Sequence, residues 1–420
     1  MELPRIASTR QLIRWPATTA AVALALTLTS CAGSDDSSND AASSSSSSST
    51  SSGAASASST ATAGSGDVVA LAEAFAATLD DDQQTSLNQD YTFDNAANWS
   101  NFPNALLTGA GTPGGAAGGS APSGGFSGPP GGATGAPGGG GAPSGGLGSG
   151  TGRVGLQTDS LSDEQWTALE DLLAGVTGST ENEGFDEILQ HLDADDYLAD
   201  NGGGDDYGRG NFFIAFLGTP SDSGTWELQF GGHHLAVANT YVDGALAGAT
   251  PSFRGIEPFT TVEENGDSVQ PEQQEAAAFS ALLTSLTADQ NTTATLSSSY
   301  NDILLGPGTD WAFPTTSEGL VGSQLTDDQK TLLLAAINTY VGDIDDADAA
   351  TILAKYQGEL DSTYVGYSGS TSMTEQGDYI RIDGPSVWIE FSMQNGIVLA
   401  GAHPHAVWRD KQTDYAGTTS

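Results

Sequence analysis

The sequence predicts an α+β protein made of two similar halves, each with helices first and antiparallel strands after them. Two observations support this prediction. Segments that begin near residues 67 and 271 carry apolar residues at helical spacing, and the segments that close each half alternate apolar and polar residues. A third observation places the domain behind a disordered N-terminal tether, because residues 32–66 are small and polar and include no large apolar side chain.

The first 30 residues have the pattern of a bacterial lipoprotein signal peptide. Arg5, Arg10 and Arg14 form a basic region, and residues 17–29 form an uncharged apolar stretch that is too short to span a bilayer. Small residues then precede Cys31, the one cysteine of the chain. We therefore expect lipid on Cys31, a tether over residues 31–66, and a folded domain outside the cytoplasm at a bacterial membrane. The alternative is an ordinary signal peptide that contains a cysteine.

The chain is strongly acidic, with 11 basic against 53 acidic residues and a formal net charge of −42. Removal of residues 1–30 leaves eight basic and 52 acidic residues, which is a net charge of −44. Such a charge repels nucleic acid and attracts cations. We therefore expect no nucleic-acid partner. The expected partners are the membrane, through lipid on Cys31, and a small-molecule or cell-envelope ligand.

Both halves open with the same helix signals. Half one is residues 67–260 and half two is residues 271–416, with first helices predicted from DVVALAEAFAATL and PEQQEAAAFSALLTSL. The phrases LSDEQ and LTDDQ follow, 164 residues apart. Each is a capping box, in which Ser162 or Thr326 caps a helix and the glutamine three residues later returns the hydrogen bond. The matches occur in one order, which indicates an internal duplication.

The predicted strands follow the helices in each half. They are NFFIAFLG and TWELQFGGHHLAVANTYV in half one, and DYIRIDG and VWIEFSMQNGIVLAGAHPHAVWRD in half two. In this interpretation Gly218 matches Gly384, and Phe230 matches Phe391. Residues 109–152 are almost all Gly, Pro, Ser and Ala, whereas half two has only a short connection there. They are predicted to form a flexible insertion in half one, and residues 417–420 a tail.

Three phrases resemble the patterns of a known family. GGHHL, ATPSFRGIEP and HPHAVWRDKQTDYAG fit W-x-x-Q-F-x-G-H-H-L, T-P-x-F-x-G-x-E-P and H-x-H-x-V-W-R-D-x-x-x-D-Y-G. Over most of residues 67–416 the chain resembles a bacterial family known as domain of unknown function 3500. The matching residues are Trp226, Gln229, Gly232, His233, His234, Leu235, Thr250, Pro251, Phe253, Gly255, Glu257, Pro258, His403, His405, Trp408, Arg409, Asp410, Asp414 and Tyr415. Ala416 stands where the family has Gly. The resemblance implies the domain and no activity.

Four of the five histidines fall in two groups at comparable places in the two halves. On a strand, His403 and His405 point to the same face, whereas His233 and His234 point to opposite faces, so that only one of the latter pair would join them. Three imidazoles with an open position hold a catalytic zinc, and copper also accepts them. The sequence thus predicts a zinc or copper site with its ligands among His233, His234, His403 and His405.

The function expected from this site is that of a metal-dependent enzyme, either hydrolytic or oxidative. Arg409 would bind an anionic group of the substrate, Glu390 or Asp410 would orient a ligand or act as base, and Glu390 or Gln229 would add an oxygen ligand. A metal-free polar site and purely structural histidines, with Arg409 and Asp410 paired, are the alternatives. The competing function is a non-catalytic surface lipoprotein that binds a small ligand, a metal or a cell-envelope polymer. His191, on an acid-rich segment, is expected to be a solvated surface residue.

Overall fold

A computed structural model describes residues 66–108 and 152–419. The predictions for the signal peptide, for Cys31, for nearly all of the tether and for all but the last residue of the Gly-rich insertion lie outside these residues. In the ranges that the structure describes, no helix is both long enough and apolar enough to cross a membrane.

The α+β class is confirmed: the described part of the chain contains ten α-helices and a 12-stranded, mostly antiparallel sheet. The helices are α1 (Gly66–Ala76), α2 (Asp81–Leu87), α3 (Phe93–Ala96), α4 (Asn104–Leu107), α5 (Asp163–Val176), α6 (Gly184–Leu198), α7 (Gln273–Ser285), α8 (Ala288–Ala294), α9 (Asp327–Val341) and α10 (Asp346–Glu359). The strands are β1 (Asn88–Gln89), β2 (Leu156–Gln157), β3 (Phe213–Leu217), β4 (Thr225–Gly232), β5 (Leu235–Val242), β6 (Ala245–Gly248), β7 (Ser252–Gly255), β8 (Val262–Glu264), β9 (Asp267–Val269), β10 (Leu320–Val321), β11 (Tyr364–Ser368), β12 (Tyr379–Asp383), β13 (Val387–Asn395) and β14 (Ala402–Asp410). β8 and β9 form a separate hairpin.

Both predicted capping boxes are present. The backbone N–H of Gln165 donates to Ser162 Oγ at 3.3 Å, and the Gln165 side chain accepts from the Ser162 N–H at 2.9 Å. Thr326 and Gln329 repeat the pair at 3.3 Å and 3.0 Å. These bonds satisfy N–H groups that the first turn of a helix leaves without partners, and they therefore fix where α5 and α9 begin.

The capping glutamines also connect helices within each half. α2 and α8 begin with capping boxes of their own, whose glutamines are Gln83 and Gln290. Gln165 donates through Nε2 to Gln83 Oε1 at 2.8 Å, and Gln329 donates to Gln290 Oε1 at 2.9 Å. The same contact therefore holds α2 against the start of α5 and α8 against the start of α9.

The sheet places strands of the two halves side by side. Its order is β1-β3-β4-β5-β7-β14-β13-β12-β11-β10, with β2 beside β3 and β6 beside β5. β1 pairs with β3 in parallel, and the other pairs are antiparallel. The β7–β14 pair, here called the seam, joins the two groups of strands. It aligns Ser252 with Trp408 and Gly255 with His405.

The strand pairing corrects two of the sequence matches. β3 pairs with the short β2 and β11 with the short β10, so β3 and β11 hold the same position in their groups. Gly218 follows β3 as Gly369 follows β11, and both have a positive φ, of 80° and 90°. The match of Gly218 with Gly384, which follows β12, is therefore wrong. So is that of Phe230, on β4, with Phe391, on β13. Neighbouring strands show the same alternation of apolar and polar residues, so a local sequence pattern does not tell one strand from the next.

The two faces of the sheet are covered differently. On the helix face, α1, α5 and α6 pack on the strands of the first group, and α7, α9 and α10 on those of the second. On the opposite face, here called the loop face, short helices and irregular segments cover a smaller core that includes Trp99, Phe253, Ile303, Val407 and Tyr415. Because side chains alternate along a strand, β14 directs its odd-numbered residues to the loop face and its even-numbered residues to the helix face.

Candidate metal centre

Three histidines converge at one end of the seam. His403 and His405 lie two residues apart on β14, and both side chains therefore point to the loop face. His234 lies in the two-residue turn between β4 and β5, where its φ of 61° is left-handed. The three residues are buried, with 5%, 1% and 7% of the surface of His234, His403 and His405 exposed. We call them the histidine triad.

The Nε2 atoms of the triad have the spacing of metal ligands. His405 Nε2 lies 3.2 Å from His234 Nε2 and 3.3 Å from His403 Nε2. The three residues offer ligand atoms within 4.8 Å of one another. Nitrogen ligands on a tetrahedral zinc, with bonds of about 2.0–2.1 Å, stand roughly 3.3 Å apart. The arrangement could therefore hold a metal ion with little movement of the rings.

The second ring nitrogen of His405 fixes how that ring is oriented. Its Nδ1 lies 3.0 Å from Asp302 Oδ1, and because a carboxylate only accepts, Nδ1–H donates and Nε2 is left with a free lone pair. A carboxylate in this position is the usual partner of a metal-binding histidine. Gly255 leaves room for the rings: a Cβ there would lie 3.2 Å from His234 Cδ2 and 3.3 Å from His405 Cδ2.

His233 is not part of the triad. Its Nδ1 lies 2.6 Å from Asp195 Oδ1, and its ring stacks on that of His234 with 3.7 Å between the ring centroids. Tyr207 contacts the ring of His233 edge-on. Burial, together with the carboxylates of Glu257 and Asp195, raises the pKa of Tyr207 to about 12. The sequence thus identified a pair of which one member joins the triad, and the structure shows that this member is His234.

Burial keeps two rings of the triad, those of His403 and His234, uncharged. Burial, together with the neighbouring His405 and His233, lowers the pKa of His403 to about 2. Burial also holds the pKa of His234 well below its ordinary value, and the other histidines act in the same direction. Both rings are therefore neutral at physiological pH, which is the protonation state that binds a metal ion.

A comparison with known proteins assigns the chain to a family. The family described as "Protein of unknown function (DUF3500)" matches residues 149–417, more than half of the chain. The chain belongs to the DUF3500 family. The resemblance carried by the three phrases is thereby confirmed. No curated protein and no solved structure matches the chain significantly. Ala416, where the DUF3500 pattern has Gly, has a φ of 51°, in the left-handed region that favours glycine.

Glu390 and Arg409 do not contact the triad; both hold the loop that carries Asp302. Glu390 accepts hydrogen bonds from the backbone N–H groups of Leu304 and Leu305, at 2.7 Å and 2.9 Å. Arg409, from the DUF3500 phrase W-R-D, donates to the Leu305 carbonyl at 3.0 Å. The two residues predicted as catalytic thus position the segment beside His405. Asp302 itself was missed, because no motif surrounds it in the sequence.

Asp410 and Gln229 have partners away from the triad. Asp410 accepts from Tyr356 Oη at 2.7 Å and from Lys355 Nζ at 3.0 Å, on the helix face. It does not pair with Arg409, whose guanidinium contacts Asp414 and Asp310 instead. Gln229 donates to the Ala96 carbonyl at 2.8 Å and to Glu227 at 2.7 Å. Neither supplies the ligand or base that the sequence suggested.

A second group of potential ligands, Glu187, His191 and Glu272, lies under the helix face. Its ligand atoms lie within 4.8 Å of one another. His191 is only 2% exposed, so its interpretation as a solvated surface residue is wrong. Glu187 and His191 lie one turn apart on the buried side of α6, and this i, i+4 spacing is the signal that could have identified them. Glu272 carries no such signal, because it joins them only through the fold.

Proposed function

We propose that this protein is a lipid-anchored, extracytoplasmic enzyme whose metal ion is held by His234, His403 and His405. The observation that carries the proposal is the close spacing of the three Nε2 atoms, at 3.2 Å and 3.3 Å from the central one. Imidazole ligands suit zinc and copper. Three neutral ligands leave the full charge of the ion in place, and such an ion polarises a bound oxygen and lowers the pKa of a bound water to about 7.

The surroundings of the triad favour hydrolysis over oxidation. The imidazole of His233 packs directly on His234 and bonds Asp195 through Nδ1, so it is oriented as a proton acceptor beside the metal ligands. In this proposal His233 takes the base role that the sequence gave to Glu390 or Asp410. Asp302 orients His405, and its side chain is 32% exposed, so solvent reaches the edge of the site at this residue.

The metal site is tested by the metal content of the purified full-length protein after loading with zinc or copper. We expect the wild type to hold one equivalent more than a His403→Ala, His405→Ala double variant, once both are shown to be folded. His233→Ala is the matched control, since it removes a neighbouring imidazole that is not a ligand, and it should keep that equivalent. Equal metal content in all three proteins would contradict the proposed metal site.

A non-catalytic binding protein is the second candidate, because the triad rings are buried and His403 Nδ1 has no hydrogen-bond partner. Such a nitrogen is free to bind a small polar ligand. Loading the protein with Co²⁺ separates the two functions. If adding azide shifts the visible spectrum, the ion has an open position and the enzyme is supported, and a screen of hydrolysable substrates should find turnover that His233→Ala loses. An unchanged spectrum would support the binding protein.

The proposed location rests on the first 31 residues and on charge. A basic region, an apolar stretch and small residues before Cys31 support lipidation, and a net charge of −42 supports a cation ligand over nucleic acid. We expect Cys31→Ser to lose incorporation of labelled fatty acid and to leave the membrane fraction. Continued incorporation in the variant would contradict the lipoprotein assignment.

We also infer that the two halves descend from one duplicated unit. Apart from the four-residue α3 and α4, their helices follow the same order, and the glutamine contacts between capping boxes occur in both. Gly155 and Gly319 have nearly the same φ, 105° and 106°, and at both a Cβ would meet a carbonyl oxygen of the neighbouring strand. An experimental structure in which α5, α6, β3 and β4 fail to superimpose on α9, α10, β11 and β12 would contradict the inference.

A further inference from the structure

We propose that Glu187, His191 and Glu272 form a second metal site, which takes a divalent ion such as Mn²⁺, Fe²⁺ or Zn²⁺. The site lies under the helix face, whereas the histidine triad lies on the loop face. Carboxylate oxygens suit Mn²⁺, and imidazole suits zinc and iron. The proposal does not rest on the triad, since no residue is shared between them.

The three side chains are brought together by two helices. Glu187 and His191 lie one turn apart on α6, and Glu272 directly precedes α7. Glu187 and Glu272 are fully buried, and His191 is 2% exposed. Glu272 has a φ of 66°, a left-handed conformation that residues other than glycine rarely adopt, and it places the carboxylate opposite His191. The three ligands are therefore buried residues on α6 and at the start of α7.

The hydrogen bonds of His191 leave a lone pair aimed at a carboxylate. His191 Nδ1 lies 2.9 Å from the Glu187 carbonyl oxygen, which only accepts, so Nδ1–H is the donor. The neutral ring, with its one proton on Nδ1, therefore carries no proton on Nε2. That nitrogen has no hydrogen-bond partner and lies 3.7 Å from Glu272 Oε1, which is too long for a hydrogen bond. With Glu272 ionised, two acceptors thus face each other without a donor.

A cation between the two acceptors accounts for this geometry. Both carboxylate oxygens of Glu272 are buried without a hydrogen-bond partner, a costly arrangement unless something binds them. A metal-bound histidine usually donates its other N–H to a carbonyl or carboxylate, as His191 does to Glu187. A water molecule would satisfy only part of this set, because it has two protons for three or more acceptors.

The negative charge around the site also favours the binding of a cation. Five carboxylates are buried together, and Arg254 supplies a positive charge through contacts with two of them, Asp343 at 2.6 Å and Glu187 at 3.2 Å. The five are Glu183, Glu187, Glu272, Glu275 and Asp343. Buried carboxylates remain ionised only when cations pair with them, and otherwise they take up protons. Protonated carboxyls are therefore the alternative that the experiment must separate from a metal ion.

The experiment uses the His403→Ala, His405→Ala protein as its parent, so that the triad does not contribute. After treatment with a chelator, the protein is titrated with Mn²⁺ and with Zn²⁺, and bound metal and Tm are measured. We expect one equivalent of metal and a higher Tm. Adding Glu272→Gln should abolish both effects, and His191→Phe, which keeps a ring of similar size, should do the same if Glu272→Gln does not fold.

Two results would overturn the proposal. One is a parent protein that binds no metal and does not change its Tm, which is the behaviour expected of protonated carboxyls. The other is full binding retained in both Glu272→Gln and His191→Phe. Exposed Glu263→Gln is the matched control for loss of one negative charge, and it should bind as the parent does. Either result can be interpreted even if the triad binds no metal, because the parent already lacks two of the three triad histidines.

Discussion

The histidine triad and the acidic cluster, which comprises Glu183, Glu187, Glu272, Glu275 and Asp343, lie behind adjacent residues of one strand and have opposite chemistry. Arg254 of β7 points into the acidic cluster under the helix face, whereas Gly255 makes room for the histidine triad on the loop face. Burial lowers the pKa of His403 to about 2 but raises that of Glu183 to about 10. The difference teaches that burial drives both kinds of group toward their neutral forms, and that a cation suits each cluster for a different reason. The triad offers free lone pairs, and the acidic cluster has excess negative charge.

The largest effect is expected from removing Arg254, which contacts the acidic cluster. Arg254→Met leaves Asp343 and Glu187 without their cation, and we expect the free energy of unfolding to fall by about 3–5 kcal/mol. Urea unfolding in the presence of a chelator measures the loss. Arg209→Met is the control, because Arg209 pairs with Asp193 and Asp196 but is 27% exposed, and its loss should cost under about 1 kcal/mol. Equal losses would show that the buried pairing does not stabilise the fold.

The two clusters should change the stability of the fold in opposite directions as the pH changes. The folded-state pKa of Glu183, about 10, exceeds its ordinary value of 4.5 because of burial and the nearby Asp343 and Glu187. Its contribution to stability is therefore complete below pH 4.5 and is lost as the pH rises toward 10. The pKa of His403 is depressed from 6.5 to about 2, so its contribution is complete above pH 6.5 and is lost as the pH falls toward 2.

Each of two single variants should reduce the change of stability with pH on one side of the pH range. In metal-free protein, Glu183→Gln should reduce the loss at rising pH and leave the acid side unchanged. His403→Gln should do the reverse. Each group changes the slope by at most about 1.4 kcal/mol per pH unit, which urea unfolding at a series of pH values can resolve. Variants with the slope of the wild type on both sides would mean that these groups titrate alike in the folded and unfolded chains.

A smaller effect is expected from the residue that orients the central imidazole. Asp302→Asn keeps an acceptor for His405 Nδ1 but removes the charge, and the affinity of the triad for zinc should fall by about 10–100-fold. Competition with a chromophoric chelator measures it. Asp289→Asn, an exposed acid in the same half, is the control and should change the affinity little. Metal binding at the acidic cluster should be unaffected, and a loss there would mean that the two sites are coupled.

The sequence predicted the triad better than its surroundings. His403 and His405 were found because a strand places residues i and i+2 on the same face, which is a local rule. Glu390 and Arg409 were assigned to catalysis because they lie near the histidines in the sequence, yet both bind the loop that carries Asp302. Sequence distance does not measure the direction or the reach of a side chain across a sheet.

The acidic cluster was not predicted, because the acid-rich composition of the segment around His191 indicated exposure to solvent. The segment around His191 is rich in carboxylates, and acids are mostly exposed in proteins. Here α6 buries Glu187 together with Ile188 and Leu192, so its buried side is partly polar. The partner Glu272 lies 85 residues after Glu187 in the chain. No local pattern links residues at such a separation.

The sequence by itself determined the α+β class, the starts of α5 and α9 and the faces of the strands. These features depend on hydrogen bonds and side-chain alternation within a few residues. Only the tertiary structure decided which strands are neighbours, and the β7–β14 pair brings His234 and His405, 171 residues apart, into contact. The two potential metal sites exist because packing around this pair collects ligands from distant segments and excludes water from them, and neither the pairing nor the burial is encoded in any short stretch of sequence.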